Sequence, residues 1–149
     1  MIKQIFSTLV TGGILALMIA VPARAQMPGT SMRANIPFDF MVRGTMLPAG
    51  NYEIRRISDE PAGLLIRNIN DKHDHAMFET EPVESSQAPN NSEVVFHRYG
   101  DTYFLSEVLT AGEQTGRELP PTREERQLRR EMASNSNNAE PQTVTVAIY

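Results

Sequence analysis

The chain has 149 residues, with 14 Lys and Arg against 18 Asp and Glu, and it has no cysteine. The acidic balance argues against a general nucleic-acid binder, which presents a basic face. The missing cysteine excludes disulfides, thiol catalysis and the acylated cysteine of a lipoprotein anchor.

Residues 1–25 read as a cleavable secretory signal peptide. Lys3 supplies a short positive start, and no charge falls between Ile5 and Val21. Leu9, Val10, Ile14, Leu15, Leu17, Met18 and Ile19 make the apolar stretch, which Pro22 ends. Ala23-Arg24-Ala25 then puts small side chains where signal peptidase needs them, so cleavage is expected between Ala25 and Gln26. An uncleaved anchor fits less well, because the stretch is short for a span and contains Gly12 and Gly13. The expected location is periplasmic or extracellular, without a lipid anchor, and the membrane is met only during export. Processing would leave 124 residues (149 − 25) with 12 cations (14 − 2, Lys3 and Arg24 leaving) and 18 acids, a net charge of −6. That is one domain's length, enough to bury roughly two thirds of the unfolded surface.

The expected organisation is a β-rich domain with a C-terminal helix over 26–132, a flexible linker over 133–142 and a terminal strand over 143–149. Residues 26–33 are a polar leader. Ile36, Phe38, Phe40 and Val42 alternate with Pro37, Asp39 and Met41, the period of a half-buried strand. Pro37 cannot donate to a ladder, so this strand should lie at an edge or start irregularly.

Leu47-Pro48-Ala49-Gly50 is a turn. A second strand spans 51–57 with Tyr52 and Ile54 inward. After a turn at 59–63, a third spans 64–69, apolar enough to be central. Residues 70–74 turn again, and a fourth strand spans 76–80 with Ala76 and Phe78 inward. Residues 81–92, with Pro82 and Pro89, read as a loop. Strands over 94–99 and 102–110 meet at Gly100-Asp101, a two-residue hairpin turn. Residues 112–116 read as flexible.

Thr122 with Glu125 three residues on is a capping box, which starts a helix over about 123–132. Leu128 and Met132 are its apolar pair, so it should touch the core lightly. The last run, Thr143 to Tyr149, sets Val144, Val146 and Ile148 on one face. Hairpin spacing with one late helix predicts an all-β domain, a small antiparallel barrel or sandwich of about seven strands.

Three segments together resemble a family of small exported bacterial β-rich proteins with no assigned activity. They are Ile36-Pro37-Phe38-Asp39-Phe40 with Leu47-Pro48-Ala49-Gly50-Asn51-Tyr52, then Phe96-His97-Arg98-Tyr99-Gly100-Asp101-Thr102-Tyr103-Phe104-Leu105, then Gly116-Arg117-Glu118-Leu119-Pro120. The resemblance covers most of residues 34–130 and is most specific in the middle segment. It implies an exported β-rich domain and brings no catalytic residue.

Four groups of residues are chemically suggestive. His73-Asp74-His75 with Asp71 could ligate zinc or another divalent ion, since two imidazoles and two carboxylates suit such metals. The segment sits at a turn, however, where polar residues collect, and it lacks a third strong ligand. His97 could serve Ser106 as a base with Asp101 as the acid, but Ser106 lacks the Gly-x-Ser-x-Gly context that presents a strained serine. The competing reading is a hairpin built around Tyr99, Gly100, Asp101 and Tyr103.

Arg55, Arg56, Arg67 and Arg98 with Glu53, Glu79, Glu81 and Glu107 could line an anion pocket, or simply pair across a solvated sheet face. Arg117-Glu118 could fix the approach to the helix. The strand 143–149 could pair with the chain's own sheet or with a protein partner's. It resembles the end of an outer-membrane barrel, but such barrels need at least eight long strands with an apolar outer band.

No catalytic set and no cofactor is assigned on this reading. The expectation is a non-enzymatic exported binding or structural module. The alternative is a small hydrolase or metal-dependent enzyme using His73, His75 or His97.

Overall fold

The structure, a computed structural model, describes residues 31–59, 62–135 and 140–149. The leader and the Ala25–Gln26 bond lie outside them. Two sheets face each other as a sandwich, and neither closes into a barrel. The first has the order β1 (Met32–Ile36), β4 (Gly50–Ser58), β5 (Gly63–Asn68), β6 (His75–Glu79), all antiparallel. The second runs β11 (Gln142–Ala147), β8 (Glu93–Tyr99), β9 (Thr102–Leu109), β10 (Thr115–Glu118), β7 (Glu81–Glu84). To it are added β2 (Phe40–Val42), which meets β9 in parallel at Met41 and Phe104, and β3 (Thr45–Leu47), paired to β2. Helix α1 (Arg123–Asn135) follows β10.

The alternating residues meet between the sheets. Ile36, Phe40, Tyr52, Ile54, Ile66, Phe78, Phe96, Leu105 and Val108 join one buried cluster. Phe40 sets its edge to the rings of Tyr52 and Phe96 at centroid distances of 5.1 and 5.4 Å, the arrangement that aromatic quadrupoles favour. The wholly buried Tyr52 keeps its polar end satisfied, because its hydroxyl donates to the Pro48 carbonyl at 2.6 Å.

Several expected elements come out differently. The single strand across 36–42 is two, because Pro37 ends β1's pairing and the chain passes from the first sheet to the second through Pro37-Phe38-Asp39. Asp39 stabilises the crossing by accepting from the Ala49 N–H at 2.8 Å. The loop over 81–92 contains β7, and the flexible stretch at 112–116 contains the start of β10. Each finds its partner far along the chain, Thr115 opposite Glu84 through Glu118 opposite Glu81. Gly116 makes this possible: a side chain there would strike the Leu109 methyl groups. The helix runs through Asn135, beyond 132. Among the described residues there are eleven short strands, where the sequence pattern predicts about seven.

The terminal strand docks in its own chain. Its register runs from Gln142 opposite Arg98 to Ala147 opposite Glu93. Tyr149 then exchanges two backbone hydrogen bonds with Arg33 on β1, joining the two sheets at one side. Of the linker expected over 133–142, residues 136–139 lie outside the described residues.

Candidate functional site

The β8–β9 hairpin carries the site. On β8, Val94 and Phe96 face the core, so His97 and Tyr99 face the opposite side. On β9, Leu105 points inward and Phe104 outward. Val95 stands opposite Glu107 and Phe96 opposite Leu105, which leaves Ser106 as an extra residue on β9. Such a bulge re-aims side chains. Here it turns Ser106 towards His97 on the outer face.

The helix closes over this face. Thr122 Oγ1 accepts from the Glu125 N–H at 3.2 Å, which is the expected cap. The reciprocal half of the capping box does not form, because the Glu125 side chain turns down to the sheet. Glu125, Leu128 and Met132 fall at i, i+3 and i+7 and so share one helix face. Leu128 and Met132 pack on Met41, Tyr99 and Phe104, a second small apolar cluster. Glu125 Oε1 accepts from the Tyr99 hydroxyl at 3.3 Å and lies 3.1 Å from His97 Nδ1. His97 Nε2 lies 3.3 Å from Ser106 Oγ.

The four side chains therefore form one network in which each imidazole nitrogen has its own partner. Ser106 and Glu125 are each only 4 % exposed, whereas the His97 side chain is 30 % exposed. Beside them lies a cavity of about 110 Å³ bordered by His97, Ser106, Glu118, Leu119, Glu125 and Arg129. Burial, and then the Glu125 carboxylate, push the Tyr99 phenol up to about 12. Burial, followed by the Glu118 charge, also raises Glu107 above the usual carboxylate range.

Chemically, the order Ser106, His97, Glu125 matches a nucleophile, a base and the acid that orients the base. The acid is not Asp101, the residue that a nucleophilic reading of the hairpin would use. Asp101 is fully exposed at the hairpin tip, 3.6 Å from the Arg98 guanidinium, and takes no part. Its place is taken by Glu125, which sequence reasoning had assigned to the cap alone. The signal for its second role was present: Glu125 shares a helix face with Leu128 and Met132, the apolar pair already recognised.

The other candidates are dispersed. Asp71 accepts from the His73 backbone N–H at 2.9 Å, and His75 Nδ1 sits 3.0 and 3.1 Å from the carbonyls of Lys72 and His73. These contacts build the β5–β6 turn. His97 stands in the other sheet, and among the described residues no three His, Cys, Asp or Glu side chains are placed to hold a metal ion. The strand arginines pair rather than converge. Arg67 meets Glu53 at 2.8 Å, and Arg56 meets Asp59 at 3.5 Å. Hydrogen bonds from Ser31 and Arg67 hold Glu53 below the usual carboxylate range. Arg117 and Glu118 lie on β10, which pairs with both β9 and β7 just before the helix.

Comparisons of the chain with family models, curated proteins and solved structures find no match.

Proposed function

We propose that this is an exported, non-enzymatic binding or structural module, in which the network of Ser106, His97, Tyr99 and Glu125 clamps the helix to the sandwich. One observation carries the reading. The acid of the array belongs to the helix that roofs it. Ser106 is 4 % exposed and borders a cavity of only about 110 Å³ that α1 also walls, so the closed form leaves little room for a substrate carbonyl at its hydroxyl. Lifting α1 removes Glu125 from His97, so the array is assembled only when closed. As a clamp the same contacts are well used: a buried carboxylate is satisfied by two donors, and a marginal helix gains a polar anchor.

A second reading is favoured by a specific detail. Nε2 faces the serine and Nδ1 faces the carboxylate, as an acyl-transferring hydrolase requires. Treatment of the purified protein with a fluorophosphonate probe and a panel of chromogenic esters separates the two. The clamp predicts no labelling and no turnover. Stoichiometric labelling at Ser106, lost in Ser106→Ala, would establish the hydrolase instead.

Export belongs to the same proposal, supported by the pattern of residues 1–25. The mass of the protein recovered from expressing cells tests it: a chain beginning at Gln26 is expected, and one retaining Met1 to Ala25 would refute it.

A further inference from the structure

Among the described residues no strand pairs with the outer edge of β6. Its hydrogen-bonding phase follows from the bonds at its two ends: the Asn68 N–H donates to the Asp74 carbonyl at 2.8 Å and the Thr80 N–H to the Ala62 carbonyl at 2.9 Å. Ile66 with Ala76 and Leu64 with Phe78 fall in the same register. In an antiparallel ladder these alternate with pairs whose N–H and C=O groups point away from each other. Met77 and Glu79 therefore direct their backbone groups outward, and among the described residues no strand lies there to meet them.

Other edges are managed. β7 carries Pro82 and the two glutamates Glu81 and Glu84, and β1 is engaged by Tyr149. β6 has neither a proline nor a lysine, and Met77 is 67 % exposed. An open groove of about 410 Å³ crosses the sheet from Met77 and Glu79 over Gly63 to Ile57 and Arg43, so the face next to this edge is not filled by other side chains.

The five residues His75-Ala76-Met77-Phe78-Glu79 are complementary to themselves when reversed. We propose that two copies of this chain associate by antiparallel pairing of their β6 strands about a two-fold axis at Met77. Met77 then faces its own copy, Ala76 faces Phe78 of the second copy, and His75 faces Glu79 of the second copy. The outward backbone groups are on odd-numbered residues, so this register sets Met77 N–H and C=O against those of its copy and the Glu79 N–H against the His75 carbonyl, while the His75 N–H is kept by its own His73 carbonyl at 3.1 Å. Small Ala76 against large Phe78 balances volume on the inner face, and imidazole against carboxylate balances charge on the outer face. Glu79 has no ion pair of its own among the described residues. A contact this short buries less than about 1,000 Å², so the association is weak and depends on concentration.

The absence of cysteine gives a clean test in the full chain. Met77→Cys places one thiol on the two-fold axis. Paired Cα atoms there are about 5.5 Å apart, within disulfide range. Under mild oxidation it cross-links to a dimer at least roughly tenfold faster than Met46→Cys, because pairing raises the local thiol concentration. Met46 is a comparable control, 58 % exposed on β3. Equal rates for the two would overturn the proposal. Sedimentation at rising concentration gives an independent reading. Glu79→Lys loses self-association, and the double variant His75→Glu/Glu79→Lys regains it. Wild-type association in the single variant, or no recovery in the double, refutes the register.

Discussion

Oε1 of Glu125 lies 3.1 Å from Nδ1 of His97, although the two residues stand 28 positions apart. One end of this contact is on a sheet and the other on the helix that covers it. The contact is thus the polar half of the helix's attachment, and Leu128 and Met132 are the apolar half. Removing it should be felt first in α1.

Glu125→Ala leaves the buried Tyr99 hydroxyl without its acceptor, and should cost about 1–3 kcal/mol. Glu125→Gln keeps an acceptor oxygen and should cost less. Urea denaturation gives the energies, and amide exchange shows whether α1 loosens before β8 and β9. Equal stability of Glu125→Ala and the parent chain would remove the clamp.

Alkaline pH should destabilise the fold through two tyrosines. Tyr52 and Tyr99 are both pushed up to about 12, chiefly by burial. A phenol whose folded pKa lies above its unfolded value favours the folded chain while it stays protonated. That contribution is complete below about pH 10 and is lost as the pH rises towards 12, at about 1–3 kcal/mol per group. Denaturation at a series of pH values should show the loss, and Tyr99→Phe should make it shallower. Tyr52→Phe should do the same, but it also costs about 1 kcal/mol at neutral pH through the bond to Pro48.

Deleting residues 143–149 should lower the melting temperature of the monomer. The deletion strips β11 from β8 and frees the backbone of Arg33 on β1. It also exposes the flank of the core where Val144, Val146 and Ile148 pack. An unchanged melting temperature would show that the strand does not dock in its own chain.

Gly116→Ala should destabilise by about 1–3 kcal/mol, because the new methyl group overlaps the Leu109 side chain. Leu109→Ala added to it should recover part of that loss. The double variant compared with each single one, by urea midpoint, measures the coupling.

Much of the fold was legible because it is local. Tyr52 and Ile54, Ala76 and Phe78, and the hairpin at Gly100-Asp101 follow from period two and from turn chemistry. Both act between neighbours in the chain. β7 and β10 were not legible for the opposite reason. Glu-Pro-Val-Glu and Thr-Gly-Arg-Glu have weak strand character; the first becomes a strand through the second, some thirty residues away, and the second through both the first and β9. The division at Pro37-Phe38-Asp39 was half legible: the proline marked an irregularity, but not that the chain changes sheets there.

The candidate site divides in the same way. The sequence by itself determined that His97 and Ser106 share a hairpin and that Glu125 begins a helix, since spacing and capping depend on a few adjacent residues. It also determined the lack of cysteine and the expectation of export. Only the tertiary structure decided that Glu125, rather than Asp101, completes the array. That choice needs a bulge to turn Ser106 outward and a helix laid across β8 and β9, and both depend on packing between distant segments. The edge of β6 is also a tertiary matter. His75 to Glu79 reads the same in any fold, but only the strand order left its outer side without a neighbouring strand among the described residues.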